Sequence, residues 1–156
     1  MAKAAKARAR DRPPSQLTQD NLGFLLAKAS QRWNELLADA FAAAGFPEVR
    51  PSYGSILVPL YEEDGLRMGE IARRARLSKQ TMTTMVRLLE RDGLVERRSD
   101  PRDGRAARVF LTKRAQAFRP IAEATRRDLT RRARRRVGTA TANAVTDALR
   151  QLTELE

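Results

Sequence analysis

One segment near the middle of the chain places hydrogen-bonding side chains along one side of a helical repeat. Its apolar residues recur at i, i+3, i+4 and i+7, which predicts a helix with one buried stripe: Met82, Met85, Val86 and Leu89. The polar residues between them point outward: Lys79, Gln80, Thr83, Thr84 and Arg87. Glutamine can contact adenine and arginine can contact guanine with two hydrogen bonds, while threonine offers a hydroxyl or a methyl group to thymine. The face is suited to reading base edges, although an ordinary polar face of an amphipathic surface helix has the same pattern.

A second segment, residues 97–112 with the sequence RRSDPRDGRAARVFLT, crowds arginines around a turn and then alternates apolar residues. The Asp-Pro pair at Asp100 predicts the start of the turn, and Gly104 permits a positive φ. Asp103 precedes Arg105 by two positions, close enough to orient it. A hairpin tip that carries arginine can enter an A·T-rich minor groove, where negative potential concentrates. A solvated charged hairpin is the alternative, whereas a calcium loop is disfavoured because the acids lack the required spacing.

The two segments together supply the candidate DNA-binding residues. Ser78 is the expected N-cap of the helix, whose exposed N–H groups favour a phosphate. The candidates are Ser78, Lys79, Gln80, Thr81, Thr83, Thr84, Arg87, Arg97, Arg98, Arg102, Asp103 and Arg105.

The spacing of apolar residues predicts the elements that must hold these segments. The predicted helices run from Leu17 to Ala44, Tyr53 to Glu62, Met68 to Arg74, Ser78 to Asp92, Lys113 to Arg136 and Ala140 to Leu155. Gly45 is expected to end the first helix. The expected buried side of the second consists of Ile56, Leu57, Leu60 and Tyr61. Two strands, LVERR at 94–98 and ARVFLT at 107–112, are expected to bracket the turn.

Two of these helices are separated only by the residues ARL, at 75–77. A helix pair joined by such a short turn has the geometry of a helix-turn-helix, in which the first helix braces the second against the major groove. Ile71, Ala72 and Ala75 are expected to face inward, and Ala72 is small enough for a close helix crossing. With the hairpin that follows, the pattern predicts a winged helix-turn-helix within a mainly α fold.

The charge of the chain is strongly positive and unevenly distributed. Its 156 residues carry a net charge of +12, of which residues 1–16 supply +4 and Arg126 to Arg136 supply +6. Such a surface attracts polyanions, although a GC-biased composition with solvated arginines is an alternative explanation. Residues 1–16 are too polar to be buried and end near two prolines, so we expect a flexible basic arm.

Several classes of function lack the residues they need. The chain has no cysteine and no histidine, which removes disulfides, thiol chemistry, the usual zinc ligands and the commonest general base. No nucleophile–base arrangement is evident, so we expect neither enzymatic activity nor a cofactor. No apolar run is long enough to cross a membrane and the first residues lack an apolar signal segment, so a cytoplasmic location is expected.

Residues 66–112 resemble the DNA-binding core of the MarR family, which comprises bacterial winged-helix repressors and activators. The resemblance is carried by IARRARLSKQTMTTMVRLLERDGLVER and by DPRDGRAARVFLT, with its Asp-x-Arg element, over about a third of the chain. It implies a ligand-responsive homodimer with interleaved terminal helices and two wings that straddle a pseudo-palindromic operator. Arg76 stands where relatives often have glycine, which costs about 1 kcal/mol if a positive φ is needed. Gly104 stands where relatives often carry another arginine.

The resulting expected organisation is an arm at 1–16, an N-terminal dimerisation helix at 17–48, a winged helix-turn-helix DNA-binding domain at 49–114 and C-terminal dimerisation helices at 115–156. The first helix has more apolar surface than so small a domain can bury, so a partner subunit is expected to cover it. The C-terminal helix adds to that seam Val145, Leu149, Leu152 and Leu155. Trp33 is a candidate for lining an effector pocket, with a core or interface role as the alternative.

The arginine-rich run from Arg126 to Arg136 leaves three roles open, because it spans three helical turns and surrounds its helix. It can bind flanking phosphates, hold an anionic effector, or pair across the dimer with Glu35, Asp39, Glu154 or Glu156. For the whole chain, the main hypothesis is a dimeric, sequence-specific transcription regulator that acts as a ligand-responsive repressor. The alternative is a nonspecific basic nucleoprotein that coats DNA or structured RNA. The two differ in base readout, since coating needs no ordered polar face.

Overall fold

A computed structural model describes residues 19–155 of the protein. The chain divides into two compact units between Leu36 and Leu37. Helix α1, Leu22–Ala43, begins in the first unit and ends in the second. The expected basic arm at 1–16 lies outside the described residues.

Helix α1 begins at Leu22, later than the predicted start at Leu17. Asn21 is the reason, because its Oδ1 accepts a hydrogen bond from the backbone N–H of Phe24 at 2.9 Å and so caps the helix. The predicted end is close to the observed one, since Ala43 is the last helical residue and Gly45 follows with a φ of +89°. Glycine adopts this left-handed conformation without the steric cost that a side chain would add.

The second unit contains five further helices, a short 3₁₀ turn and one small sheet. Its elements are the 3₁₀ turn Pro51–Tyr53, α2 (Gly54–Glu62), β1 (Leu66–Arg67), α3 (Met68–Ala75), α4 (Lys79–Arg91), β2 (Val95–Asp100), β3 (Asp103–Leu111), α5 (Lys113–Val137) and α6 (Thr139–Leu152). The expected mainly α fold with a β-hairpin is confirmed. Strand β1 was not predicted, and α6 ends before Leu155.

The core of the second unit lies where α2, α3 and α4 meet the sheet and the start of α5. Phe118 packs edge-on against Phe41 with ring centroids 4.8 Å apart, and it also contacts Phe46 at 5.3 Å. Tyr53 is buried and donates a hydrogen bond to Asp92 at 2.5 Å. These contacts fix the end of α1 and the loop after it against the helix-turn-helix.

Helix α2 buries the side that was predicted, with one difference. Ile56, Leu57 and Leu60 are buried, but Tyr61 is only partly so. The Tyr61 hydroxyl reaches past the core and donates to the backbone carbonyl of Ala115 at 2.6 Å. Burial raises the pKa of Tyr61 to about 12.

The sheet has the strand order β1-β3-β2, and all of its pairs are antiparallel. Leu66 pairs with Val109 on one side of β3, while Val95 pairs with Leu111 on the other. Leu66, Val95 and Val109 are buried, so this end of the sheet belongs to the core. Farther along, the hairpin of β2 and β3 is mostly exposed and ends at the pair Asp100 and Asp103.

Candidate nucleic-acid interface

The turn between α3 and α4 consists of Arg76, Leu77 and Ser78, one residue later than the predicted turn. Arg76 adopts φ 52° and ψ 42°, and it is the only non-glycine residue with a positive φ in the described part of the chain. The N–H of Leu77 donates to the carbonyl of Ala72 at 3.0 Å, which closes α3 with a turn that usually contains glycine. A cost at Arg76 was expected only if a positive φ is needed there, and the structure has that positive φ.

Helix α4 begins as predicted, with Ser78 as its N-cap. The Ser78 Oγ accepts the backbone N–H of Thr81 at 3.1 Å and also donates to the Thr81 hydroxyl at 2.8 Å. Both residues are thus used in starting the helix. Of the predicted stripe, Met82, Val86 and Leu89 are buried and Met85 is partly buried against the core. On α3, Ile71 and Ala72 are buried, whereas Ala75 is only partly buried.

The polar face of α4 brings together the five outward residues expected from the sequence. At 100° per residue, positions 79, 80, 83, 84 and 87 fall within an arc of about 140°. Lys79, Gln80, Thr84 and Arg87 are exposed, and Thr83 is partly buried. Within residues 19–155, the side chains of Lys79, Gln80 and Arg87 form no hydrogen bond or ion pair. These three groups are available to a ligand.

The two threonines of this face use their hydroxyl hydrogens inside the helix. The Thr83 Oγ1 donates to the carbonyl of Lys79 at 2.8 Å, and the Thr84 Oγ1 donates to the carbonyl of Gln80 at 3.1 Å. Each hydroxyl keeps lone pairs that can accept, and each side chain keeps its methyl group. These threonines therefore offer a methyl group and an acceptor, with no free donor.

The wing is held by a buried carboxylate that sequence reasoning treated only as a turn residue. Asp100 is 2% exposed and is the one buried charged residue in the described part of the chain. It accepts from the backbone N–H of Arg102 at 3.0 Å and pairs with Arg67 Nε at 2.7 Å and Arg108 Nε at 3.1 Å. The pKa of Asp100 is lowered, first by the Arg102 backbone hydrogen bond and then by the two guanidinium groups.

Arg67 and Arg108, which hold the turn of the wing through Asp100, were not singled out by sequence reasoning. Arg67 belongs to β1, which is too short to show a strand period. Arg108 also donates to the carbonyl of Gly65 at 2.9 Å. Gly65 and Arg67, which precede the helix-turn-helix, are therefore both bonded to residues of the wing. Only Arg108 could have been noticed in the sequence, because it is a charged residue that interrupts the apolar residues of β3.

At the tip of the hairpin, the relation between Asp103 and Arg105 differs from the expected one. The Asp103 Oδ1 accepts the backbone N–H of Arg105 at 3.1 Å, not its guanidinium. The aspartate therefore shapes the turn and leaves the arginine head group free. Arg102 and Arg105 are exposed, and neither side chain has a carboxylate partner within the described residues.

Arg97 and Arg98 lie away from the tip, within the paired part of the hairpin. Arg97 forms an ion pair with Glu90 of α4 at 2.9 Å. Arg98 pairs with Glu96, and its guanidinium lies over the ring of Phe110, 4.5 Å from the centroid. The structure thus divides the predicted arginine cluster into two free groups at the tip and two that are already partnered.

The structure gives fewer contacts for the remaining candidate sites. Trp33 lies on α1 in the first unit and is 37% exposed. Its effector role stays a prediction. The described residues contain no group of three or more His, Cys, Asp or Glu side chains that can hold a metal ion. Among those same residues, no helix is both long and apolar enough to cross a membrane.

Known proteins match the sequence of the helix-turn-helix and of most of the wing. The model of the MarR family matches residues 51–107. The HTH-type transcriptional regulator TtmR of Methylorubrum extorquens (strain PA1) is 38% identical over 69 residues, which are 44% of this chain and 35% of that protein. The match thus spans about a third of the length of this relative.

Solved structures resemble a larger part of the chain. A probable transcriptional regulator from Pseudomonas aeruginosa is 26% identical with a TM-score of 0.73, over 86% of this chain and 98% of that one. The transcriptional repressor CouR, solved bound to a 23-mer DNA duplex, is 23% identical with a TM-score of 0.69, over 90% of this chain and 100% of its own. The likeness to CouR is one of fold. Together, the matched segment, the related regulator and the observed winged helix-turn-helix show that residues 51–107 form a DNA-binding domain of the MarR type.

Proposed function

We propose that the protein is a dimeric, sequence-specific DNA-binding regulator of transcription. The observation that carries this proposal is the polar face of α4, where Lys79, Gln80 and Arg87 are exposed and have no partner within the described residues. A sequence-independent protein needs positive charge but no such set of side chains with distinct base preferences. The nonspecific nucleoprotein is therefore the less favoured function.

The wing supports the same function. Arg102 and Arg105 are exposed at the tip, while the buried Asp100 holds the turn to β1 and β3. A guanidinium on a fixed turn can enter a minor groove at little cost in conformational freedom. The proposed roles are base contacts by α4 in the major groove and minor-groove contacts by the wing. CouR, which shares the fold, was solved on a DNA duplex.

The proposed dimer rests on apolar side chains that the single chain leaves exposed. On α1, Leu22 is 62% exposed and Leu25 is 49% exposed. On α6, Val145 and Leu149 are 50% and 41% exposed. Exposed apolar rows on two helices are typical of subunit interfaces. Two copies would place two α4 helices on a pseudo-palindromic operator.

Repression that responds to a small ligand and a location in the cytoplasm, with the chromosome, belong to the same proposal. We assign the protein no reaction of its own, in keeping with a family of regulators.

The experiment that tests this proposal is selection of bound fragments from genomic DNA by the full-length protein. We expect an enriched motif with two related half-sites, and sedimentation at low micromolar concentration should show a dimer. Recovery of fragments without any shared motif would favour the nonspecific nucleoprotein. A stable, folded monomer in solution would contradict the dimer.

A further inference from the structure

The C-terminal part of α5 forms a groove with the start of α6, and arginine dominates its lining. The groove has a volume of about 590 Å³. Its lining residues are Arg126, Arg127, Thr130, Arg131, Arg134, Arg135 and Thr139. None of them is acidic or apolar. The groove contains no residue of α4 or of the hairpin, so it is separate from the proposed DNA-reading surface.

The arginines that line the groove lie on one side of α5, although the arginine-rich run as a whole surrounds the helix. At 100° per residue, the six α5 residues of the groove occupy one half of the helix, with Arg127 and Arg134 near the centre. Arg132 and Arg136 lie outside this half, toward the side of the buried Leu129. Five of the seven arginines thus point toward one concave surface.

Most of this positive charge is not neutralised by acids of the same chain within residues 19–155. The only acid within the run, Asp128, pairs with Arg131 at 2.6 Å and with Arg132 at 4.0 Å. Arg126, Arg127, Arg134 and Arg135 have no carboxylate partner within residues 19–155. Like charges at i, i+4, such as Arg127 and Arg131, destabilise a helix. An anion in the groove would relieve this repulsion.

Two further features add hydrogen-bond donors to the groove. Thr130 and Thr139 contribute hydroxyl groups. Thr139 is also the first residue of α6, which follows Gly138 at φ +87° and has no side-chain cap. The first N–H groups of a helix carry partial positive charge and favour phosphate oxygens. The lining therefore includes donors from α5 and from Thr139 at the start of α6.

We propose that this groove binds a small anion that carries several linked phosphate groups. Guanidinium groups bind phosphate with paired hydrogen bonds, and five of them exceed what one phosphate group can neutralise. The rise from Arg126 to Arg135 is about 13 Å along the helix, which suits a short chain of phosphates better than a single one. The position of the groove favours a free small molecule over a duplex, because its lining contains no residue of the elements proposed to contact DNA. This binding site goes beyond the proposed DNA-reading function, because its lining contains no residue of α4 or of the hairpin.

Calorimetric titration of the full-length protein with inorganic tripolyphosphate tests the proposal. Orthophosphate at the same ionic strength is the reference ligand. We expect tripolyphosphate to bind at least tenfold more tightly than orthophosphate and to raise the Tm. The double variant Arg127→Gln/Arg134→Gln should weaken tripolyphosphate binding at least tenfold. Glutamine keeps a long side chain and a good helix propensity, so the fold should persist.

The matched control is Arg132→Gln/Arg136→Gln, which removes the same charge from the same helix but from outside the groove. Its tripolyphosphate Kd should change by less than threefold. Equal weakening by both double variants would overturn the proposal, because it would mean attraction by net charge alone. Absence of tripolyphosphate binding to the unmodified protein would overturn it as well.

A mixed-sequence DNA duplex provides the last arm of the test. If the groove variant weakens duplex binding more than the control does, and tripolyphosphate fails to compete with the duplex, the groove contacts DNA and the proposal is wrong. Circular dichroism accompanies every variant. The single variant Arg134→Gln replaces the double variant if helicity falls.

Discussion

The Nε of Arg67 lies 2.7 Å from the carboxylate of Asp100, so the residue that precedes the helix-turn-helix is joined to the turn of the wing. The same carboxylate also forms an ion pair with Arg108 and accepts a hydrogen bond from the backbone N–H of Arg102. Its side chain has no exposure to solvent. Because three donors meet on one buried acceptor, the position of the wing relative to α3 depends on the charge of Asp100.

We expect Asp100→Asn to lower the Tm at pH 7 by on the order of 5 °C, because the variant leaves two guanidinium groups without their buried carboxylate. The pKa of Asp100 is lowered in the folded state, chiefly by the Arg102 hydrogen bond. Its contribution to stability is therefore present above the unfolded pKa, about 3.9, and is lost as the pH falls through the lower folded pKa.

The measurement is Tm against pH from 7 to 2.5 for the unmodified protein and for Asp100→Asn. The acid limb should be less steep in the variant. Asp103→Asn is the matched control, since Asp103 is exposed and accepts one hydrogen bond at the tip. Identical acid limbs in the unmodified protein and Asp100→Asn would show that the Asp100 cluster does not fix the wing.

Arg87 is expected to read a base. Arg87→Ala should cost about 1–3 kcal/mol on the preferred site and relax the preference at one base pair of each half-site, with a smaller loss on unrelated DNA. The control is Arg91→Ala, an exposed residue at the far end of the same helix. Titration of each variant against the selected site and a scrambled duplex distinguishes the roles. Equal losses of Arg87→Ala on both duplexes would mean that this side chain contacts only phosphates.

The wing arginines are expected to sense the width of the minor groove. Arg102→Ala and Arg105→Ala should weaken binding most when the operator has A·T-rich flanks, and less when the flanks are G·C-rich. The hairpin should stay folded in Arg105→Ala, because Asp103 holds the backbone of residue 105 and not its side chain. Binding assays with the two flank types at two salt concentrations test this. Losses that do not depend on the flanks would argue against minor-groove insertion.

Arg76 combines an unfavourable backbone conformation with a long-range contact. Its Nη1 donates to the carbonyl of Thr153, just after α6, at 3.3 Å, while its φ is 52°. Arg76→Ala and Arg76→Gly both remove this contact, but only glycine relieves the left-handed backbone. Arg76→Gly should therefore be about 1 kcal/mol more stable than Arg76→Ala in chemical denaturation. Equal stability of the two variants would mean that the backbone carries no strain at this turn.

Local patterns sufficed for much of the fold. The spacing of Met82, Val86 and Leu89 gave the orientation of α4, and Ser78 gave its start, because both depend on residues within two helical turns. Asp100 and the proline after it located the turn of the wing for the same reason. The expectation for Gly104 was wrong, because Gly104 lies within β3 and does not have a positive φ. The predicted face of α4 likewise follows directly from the buried stripe on its other side.

Contacts between distant residues were not predictable in this way. Asp100 and Arg67 are 33 positions apart, and no local period connects them. Arg97 and Arg98 were placed in one cluster with the tip arginines because they are close in sequence. In the structure Arg97 pairs with Glu90 and Arg98 lies over Phe110, so both stay in the paired part of the hairpin. The groove beside α5 depends on how α6 folds back, which composition alone cannot specify.

The hydroxyl hydrogens of Thr83 and Thr84 are already bonded to the carbonyls one turn earlier, so neither side chain has a free hydroxyl donor and each keeps a methyl group. If these threonines recognise thymine, the contact is with its C5 methyl. Replacing thymine by uracil in the operator should then weaken binding by a few-fold without removing any hydrogen bond. A cytosine that carries a C5 methyl presents the same group in the major groove. If the thymine contact is made, a cytosine methylated at that position of the operator should also differ in affinity from the unmodified base.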